Sequence, residues 1–313
     1  MTLPAGITSD LVHVSALNQW CRHTHEIYFA VDNQHHPGTI MLDIAIQHTF
    51  LLHGLLAISC FHLGITDPVL HDAYIGHSYR LLAHGMEGFN TIGAGVRGFD
   101  ESNIMAGFVF ANVAGLCKFA HLFSTMHESV EKFMEHLIDT LTVLRGVNIV
   151  LGPWWSFITG SALFKAVTPT DASRKGKDVI VTETADLSKA REVLADAKFE
   201  TERRQVCQQV INQLQAMYNE LSRKGRDDDA SKFPESIWFF QIPTEFHALL
   251  SAKNPEALVI LAHITPLLHN RRQYWLVRNA GEVLLNGISD YLGLRWSPYL
   301  EELHRVFQTS TET

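Results

Sequence analysis

Cysteine is scarce and scattered in this chain. Its 313 residues include four, Cys21, Cys60, Cys117 and Cys207, none in a CxxC pair, which argues against a structural zinc site and against a compact disulfide framework. Reduced, mostly buried thiols of an intracellular protein are the simplest account. Positive charge is in deficit, with 25 Lys and Arg against 33 Asp and Glu and a net charge of -8. No broad positive field is therefore available to neutralise phosphates, and direct nucleic-acid binding is not expected. The densest basic spots, Arg203-Arg204, Arg223 to Arg226 and Arg271-Arg272, are short and read as solvated helix ends. The first residues lack a basic segment followed by an apolar stretch, and no run of about 18 apolar residues without charge or His occurs. Neither a secretory leader nor a membrane span is expected, which leaves the nucleus or the cytoplasm.

Strict two-residue alternation over a strand length is also scarce, whereas apolar residues recur every three or four positions almost throughout. With 46% hydrophobic and 19% charged residues, the chain has the balance of a globular protein. These features predict an all-α fold, a single multi-helix domain over 11–307 with a buried central helix and apolar C-terminal helices, between flexible ends at 1–10 and 308–313. The central helix is expected over 40–63, where Ile40, Ile44, Leu51, Leu52, Leu55, Leu56 and Ile58 stand among few charges. Asp67-Pro68 predicts the start of a second helix running to about Phe89 and stopped by the glycines at 93, 95 and 98. A third is expected over 101–122. Thr125 and Glu128 form a capping box for a fourth, on which Val130, Met134, Leu137, Leu141 and Leu144 share one core-facing side. Residues 168–186 lose the periodicity and predict a surface loop and a candidate subdomain boundary. Val206, Val210, Leu214, Met217 and Leu221 then mark a long polar-faced helix, ended by a charged connection over 222–233. Four apolar helices are expected after it, over 234–251, 255–269, 274–292 and 298–307, the second opened by Asn254-Pro255.

Short motifs offer little chemistry. Gly93 to Gly98 fits the dinucleotide-binding GxGxxG pattern, but the preceding segment reads as helix and no acid stands about 20 residues on, so an interhelical turn is the better reading. His127-Glu128 begins like the HExxH of zinc proteases, with Glu131 where the second histidine belongs. Asp227-Asp228-Asp229 lies among Lys, Arg, Gly and Ser and reads as a solvated loop. No metal and no cofactor are expected. Eighteen histidines crowd towards the first 90 residues, a supply of metal ligands, general bases or a pH-dependent switch. Only scattered pairs have helical spacing, so structural or surface histidines are the simpler expectation. Trp154-Trp155, Trp238-Phe239-Phe240 and Tyr274-Trp275 are aromatic clusters expected at helix starts, where core packing and the walls of an apolar cavity explain them equally.

Three segments together resemble the C-terminal domain of fungal binuclear zinc-cluster transcription factors, in particular the sterol uptake control protein group. HTFLLHGLLAISCFHLG at 48–64 is similar to that family's buried helix. LRGVNIVLGPWW at 144–155 is similar to its Leu-Arg-Gly segment leading to a tryptophan. PEALVILAHITPLLHNRRQYWLVRNAGEVLLNGISDYLGLRWSPYLE at 255–301 is similar to its Leu-Val-Ile-Leu-Ala-His helix and its Trp-x-Pro-aromatic-Leu close. The matches keep the family's order over about 11–307. The resemblance implies an all-helical domain that responds to a small hydrophobic ligand. In that family a separate cluster of six cysteines with two zinc ions binds DNA, and no CxxC stands here to carry that role over.

The resemblance therefore implies a transcription-factor-like regulatory domain, without its own DNA-binding module, that senses a sterol- or lipid-like molecule, a protein partner or a second copy of itself. The alternative, motivated by the histidine excess, is a stand-alone enzyme of fungal specialised metabolism, of cyclase, isomerase or dehydratase type, on the same fold. Candidate ligand contacts are His53, Trp154, Trp155, Phe239, His263 and Trp275, the rings as walls and His53 and His263 as polar anchors. Hydrogen bonding inside the core is the other expectation for both histidines.

Overall fold

A computed structural model describes residues 9–27, 37–95, 98–124, 129–161, 163–164, 187–224 and 242–309. Among them the protein is all-α, without a strand. The α-helices are α1 (Ser9–Arg22), α2 (Pro37–Gln47), α3 (Thr49–Thr66), α4 (His71–Ala94), α5 (Ile104–Ser124), α6 (Val130–Leu151), α7 (Trp155–Gly160), α8 (Ser188–Asp196), α9 (Thr201–Lys224), α10 (Thr244–Ser251), α11 (Pro255–Ala262), α12 (Thr265–Asn270), α13 (Ala280–Leu292) and α14 (Ser297–Thr309). They gather into two compact units, each assembled from separate stretches of chain. The first contains α1–α5, the last turn of α6 from Gly146, and α7; the second contains the rest of α6 and α8–α14. The capping box at 125–128, the loop at 168–186, the charged connection beyond Lys224, the start of the helix expected from 234 and the chain ends at 1–8 and 310–313 lie outside the described residues.

In the first unit, α3 is the central helix, with Phe50, Leu51 and nearly every residue from Gly54 to Ile65 buried. The helix expected over 40–63 is in fact two, because His48 is extended (φ -132°, ψ 93°) between α2 and α3. The break lets Phe50 drop into a notch on α4. A Cβ added to Gly88 would stand 2.8 Å from Phe50 Cβ, and one on Gly85 would stand 2.5 Å from Phe110 Cε2 of α5. Phe50, Phe89 and Phe110 pack tilted or edge to face at 5.4–6.2 Å between ring centres, the geometry aromatic rings prefer. Asp67 closes α3 instead of opening α4. Its N–H donates to Leu63 O and its Oδ1 accepts from Val69 N at 2.9 Å, so α4 starts only at His71. Gly93 lies within α4, and the turn comes afterwards, where Gly98 has φ +60°. A helix, not a strand, thus precedes the Gly93–Gly98 run.

α3 and α5 are each long and apolar enough to cross a membrane by length and composition, despite His53 and His62 in the one and Lys118 and His121 in the other; 72% of each apolar stretch is buried within the protein.

In the second unit, Met134, Leu137 and Leu141 of α6 are buried on the side expected for them. Ala257 to Ala262 of α11 are buried throughout, and Asn254 caps that helix, its side chain accepting from Ala257 N at 2.9 Å. The helix expected over 255–269 divides at His263-Ile264. Pro266 has no N–H to give Ala262 O, so Thr265 Oγ1 donates to that carbonyl instead, at 2.7 Å. The carbonyl of His263, freed at the same break, accepts from the buried Tyr218 hydroxyl of α9 at 2.6 Å. Arg204 of α9 donates to Leu194 O and Ala197 O at the end of α8, placing a cation where helix carbonyls are unsatisfied. Residues 271–279 form turns, so α13 begins at Ala280, not near Tyr274. It approaches α12 closely, since a Cβ on Gly281 would stand 2.7 Å from Thr265 O.

Candidate functional site

The tryptophan doublet forms the most exposed aromatic surface among the described residues. α6 ends at Leu151, Gly152-Pro153 turn the chain through one 3-10 turn, and α7 starts at Trp155. Ile158, fully buried, anchors the short helix, while Trp155 and Phe157 face outward with 47% and 40% of their surface exposed. Ser161 then folds the chain back: its hydroxyl donates to Ile158 O at 2.7 Å and accepts from Phe164 N at 3.1 Å. That return places Phe164 5.6 Å from the Trp155 ring, while Phe108 of α5 lies 6.4 Å from it, both nearly edge-on. Trp154 meets Phe157 edge-on at 6.1 Å. The result is a ledge of mutually packed rings on which Trp155 and Phe157 are partly exposed to solvent.

The other candidates fall elsewhere. His53 is half-buried on α3 of the first unit, its ring 5.7 Å from that of His84 on α4. Burial first, then His84 and His13, holds it below the ordinary histidine range. His263 lies in the second unit, 1% exposed, with Nδ1 2.8 Å from Val259 O, the core hydrogen bonding weighed as its other expectation. Trp275, also in the second unit, is half-buried in the turns before α13. Phe239 lies outside the described residues.

Several described histidines serve as structural ties. His25 bonds Trp20 O, His71 bonds Gly64 O, and His62 bonds the buried Thr24 hydroxyl at 3.0 Å. Burial, then His23, brings His62 down to about 4, so it stays neutral near pH 7. No group of three His, Cys, Asp or Glu able to hold a metal occurs among the described residues. Burial pushes the Cys60 thiol up to about 12 and Cys207 to about 11, and raises Cys117 as well; these are packing residues, not nucleophiles.

Two proton-handling pairs escaped sequence reasoning, because their members are far apart in the chain. Tyr79 of α4 bonds His121 Nδ1 of α5, with the tyrosine held above its ordinary range by burial, then Cys117. Ser289 of α13 lies 2.8 Å from His304 Nε2 of α14. Neither pair opens onto a described pocket. A solvent-open surface depression lies along Gln205, Gln208, Gln209, Asn212, Gln213 and Ala216 of α9.

Compared with protein-family models, curated proteins and solved structures, the chain matches none. What fold and surface define is an all-helical protein that presents an aromatic ledge on its first unit.

Proposed function

We propose that this chain is a regulatory domain of transcription-factor type that senses a small hydrophobic ligand, sterol- or lipid-like, and that the ligand lies on the Trp154-Trp155 ledge. The observation that carries this reading is the exposure of Trp155 and Phe157 on rings held by Phe108 and Phe164. Large aromatics of a surface helix normally turn inward, and burying them yields roughly 1.5–3 kcal/mol each. An outward set fixed in place favours a flat apolar guest. The resemblance to the zinc-cluster regulators points the same way.

The enzymatic alternative draws on Ser289 and His304. A cyclase, isomerase or dehydratase needs a proton donor or acceptor facing a pocket that holds a hydrophobic intermediate. No such pocket is described beside this pair, which fits a tie between α13 and α14 better.

The test is direct binding of a fluorescent sterol and a fluorescent fatty acid to the purified full chain, read by energy transfer from tryptophan. Saturable binding, weakened at least tenfold in Trp155→Ala while the helical circular dichroism stays unchanged, is the expected result. Absence of saturable binding to both probes, or equal binding by Trp155→Ala, would sink the ledge as a ligand site.

A further inference from the structure

α1 is apolar on two opposite sides. Val12, Ala16 and Trp20 face inward and are buried, with the Trp20 indole donating to Gly38 O at 3.2 Å. The helix packs on α3, so its outer side is held in place from behind. That side carries Leu11, Val14, Asn18 and Cys21 at alternating spacings of three and four, all exposed, with Leu17 at the edge. Leu11 and Val14 keep half or more of their surface in solvent, and Leu17 more than a third. Three of the nine large apolar side chains exposed among the described residues thus stand on one 14-residue helix. A single exposed leucine is ordinary, but a second apolar stripe on a helix already seated by its first calls for a partner.

Two opposite charges bracket the stripe. Asp10 stands at its start and Arg22 at its end, both exposed, and neither forms an ion pair within the chain among the described residues. At 1.5 Å per residue they are about 18 Å apart along the axis, too far to meet in one helix. A second copy of α1 running the opposite way brings Asp10 of each copy level with Arg22 of the other. It also brings Leu11 level with Cys21 and Val14 level with Asn18. A parallel copy would set Asp10 against Asp10 and Arg22 against Arg22, with the helix dipoles aligned instead of opposed. The pattern is its own complement under a twofold axis, the commonest symmetry of soluble oligomers.

We propose that the outer face of α1 is a homodimer interface, on which two copies of this chain pair antiparallel about a twofold axis level with the midpoint between Val14 and Asn18. Leu11, Val14, Leu17 and Cys21 close it, and an Asp10–Arg22 ion pair flanks it at each end. Asn18 is the one polar side chain within the stripe, which costs affinity and restricts the register. A single pair of 14-residue helices lies at the low end of interface size, so the dimer forms reversibly as concentration rises. It makes no use of the Trp154-Trp155 ledge.

Sedimentation equilibrium of the full chain under reducing conditions, from about 1 to about 200 μM, tests the interface; the expected result is monomer at the lowest concentration and mostly dimer at the highest. Val14→Glu, at an exposed position, should abolish the dimer while the helical circular dichroism stays unchanged. Asp10→Arg should weaken it about threefold or more, and Asp10→Arg together with Arg22→Asp should regain the loss. Leu11→Cys under mild oxidation by diamide reads the register separately. Cys60, Cys117 and Cys207 are buried and Cys21 is exposed, so the new thiol should join Cys21 of the second copy in a disulfide. Adding Cys21→Ser should prevent the link, because the two substituted positions then stand about 15 Å apart along the helix pair. Should the charge-swapped protein fail to fold, the disulfide decides. A monomer throughout, a dimer that Val14→Glu leaves intact, a folded charge swap that regains nothing, or the absence of the 11–21 disulfide overturns the proposal.

Discussion

The two units hold together by different balances of the same means. In the first, ring against glycine dominates: Phe110 fills the space left by Gly54 and Gly85, Phe50 that beside Gly88, and Phe99 that beside Gly107. In the second such a contact also occurs, Phe133 against Gly287, but aliphatic helices are tied besides through main-chain groups, by the Asn254 cap, the Thr265 hydroxyl, the Tyr218 hydroxyl and the Arg204 guanidinium. Their histidines differ in the same sense. His53 of α3 and His84 of α4 stand ring to ring and His77 accepts from Arg80, whereas a carboxylate, Glu282, acts on His269. The lesson is that one helical class admits two kinds of fragility, to lost volume and acid in the first unit and to lost main-chain partners in the second.

The sharpest way to break that contrast is Phe110→Ala. The ring is fully buried among Phe50, Phe89, Gly54 and Gly85, so its removal should cost about 4 kcal/mol in urea unfolding; a cost under about 1 kcal/mol would mean that the glycine notches do not organise the first unit. Next comes acid. His62 is 7% exposed and brought from 6.5 to about 4. The unfolded chain takes up its proton first, so the contribution of neutral His62 to stability is intact above pH 6.5, declines below it and is gone once pH passes below about 4. The total is about 3 kcal/mol at roughly 1.4 kcal/mol per pH step. His62→Gln should flatten that part of the stability-against-pH curve, and an unchanged slope would assign the acid sensitivity elsewhere. The smallest effect belongs to the second unit, where Asn254→Ala should cost about 1 kcal/mol, read as a lower urea midpoint at unchanged slope.

Much of this fold was legible in the residues themselves. The three-and-four spacing of Met134, Leu137 and Leu141 named the buried side of α6, and Asn254-Pro255 named the start of α11, because both depend on neighbours within one turn or two. The break at His48 was not legible, since it exists to seat Phe50 against a glycine of α4 that lies well along the chain. The division of the 255–269 helix did have a signal in the sequence, the missing N–H of Pro266, which the expectation of one continuous helix passed over. Of the candidate site, the Trp154-Trp155 doublet was visible as composition. Its outward direction depends on Ile158 facing in and on Phe108 and Phe164 arriving from other segments. The pairing of His53 with His84 was visible only as an excess of histidine; which rings meet is decided by how α3 and α4 are registered.

The glycine notches of α3, α4 and α5 also decide how this protein can be recombined. A helix whose pairing depends on one ring entering one gap does not accept a stranger: α4 carried into another framework would present empty sockets at Gly85 and Gly88, and α5 alone would present a plug without a socket. These three helices are a single cassette, to be grafted, shuffled or inherited together.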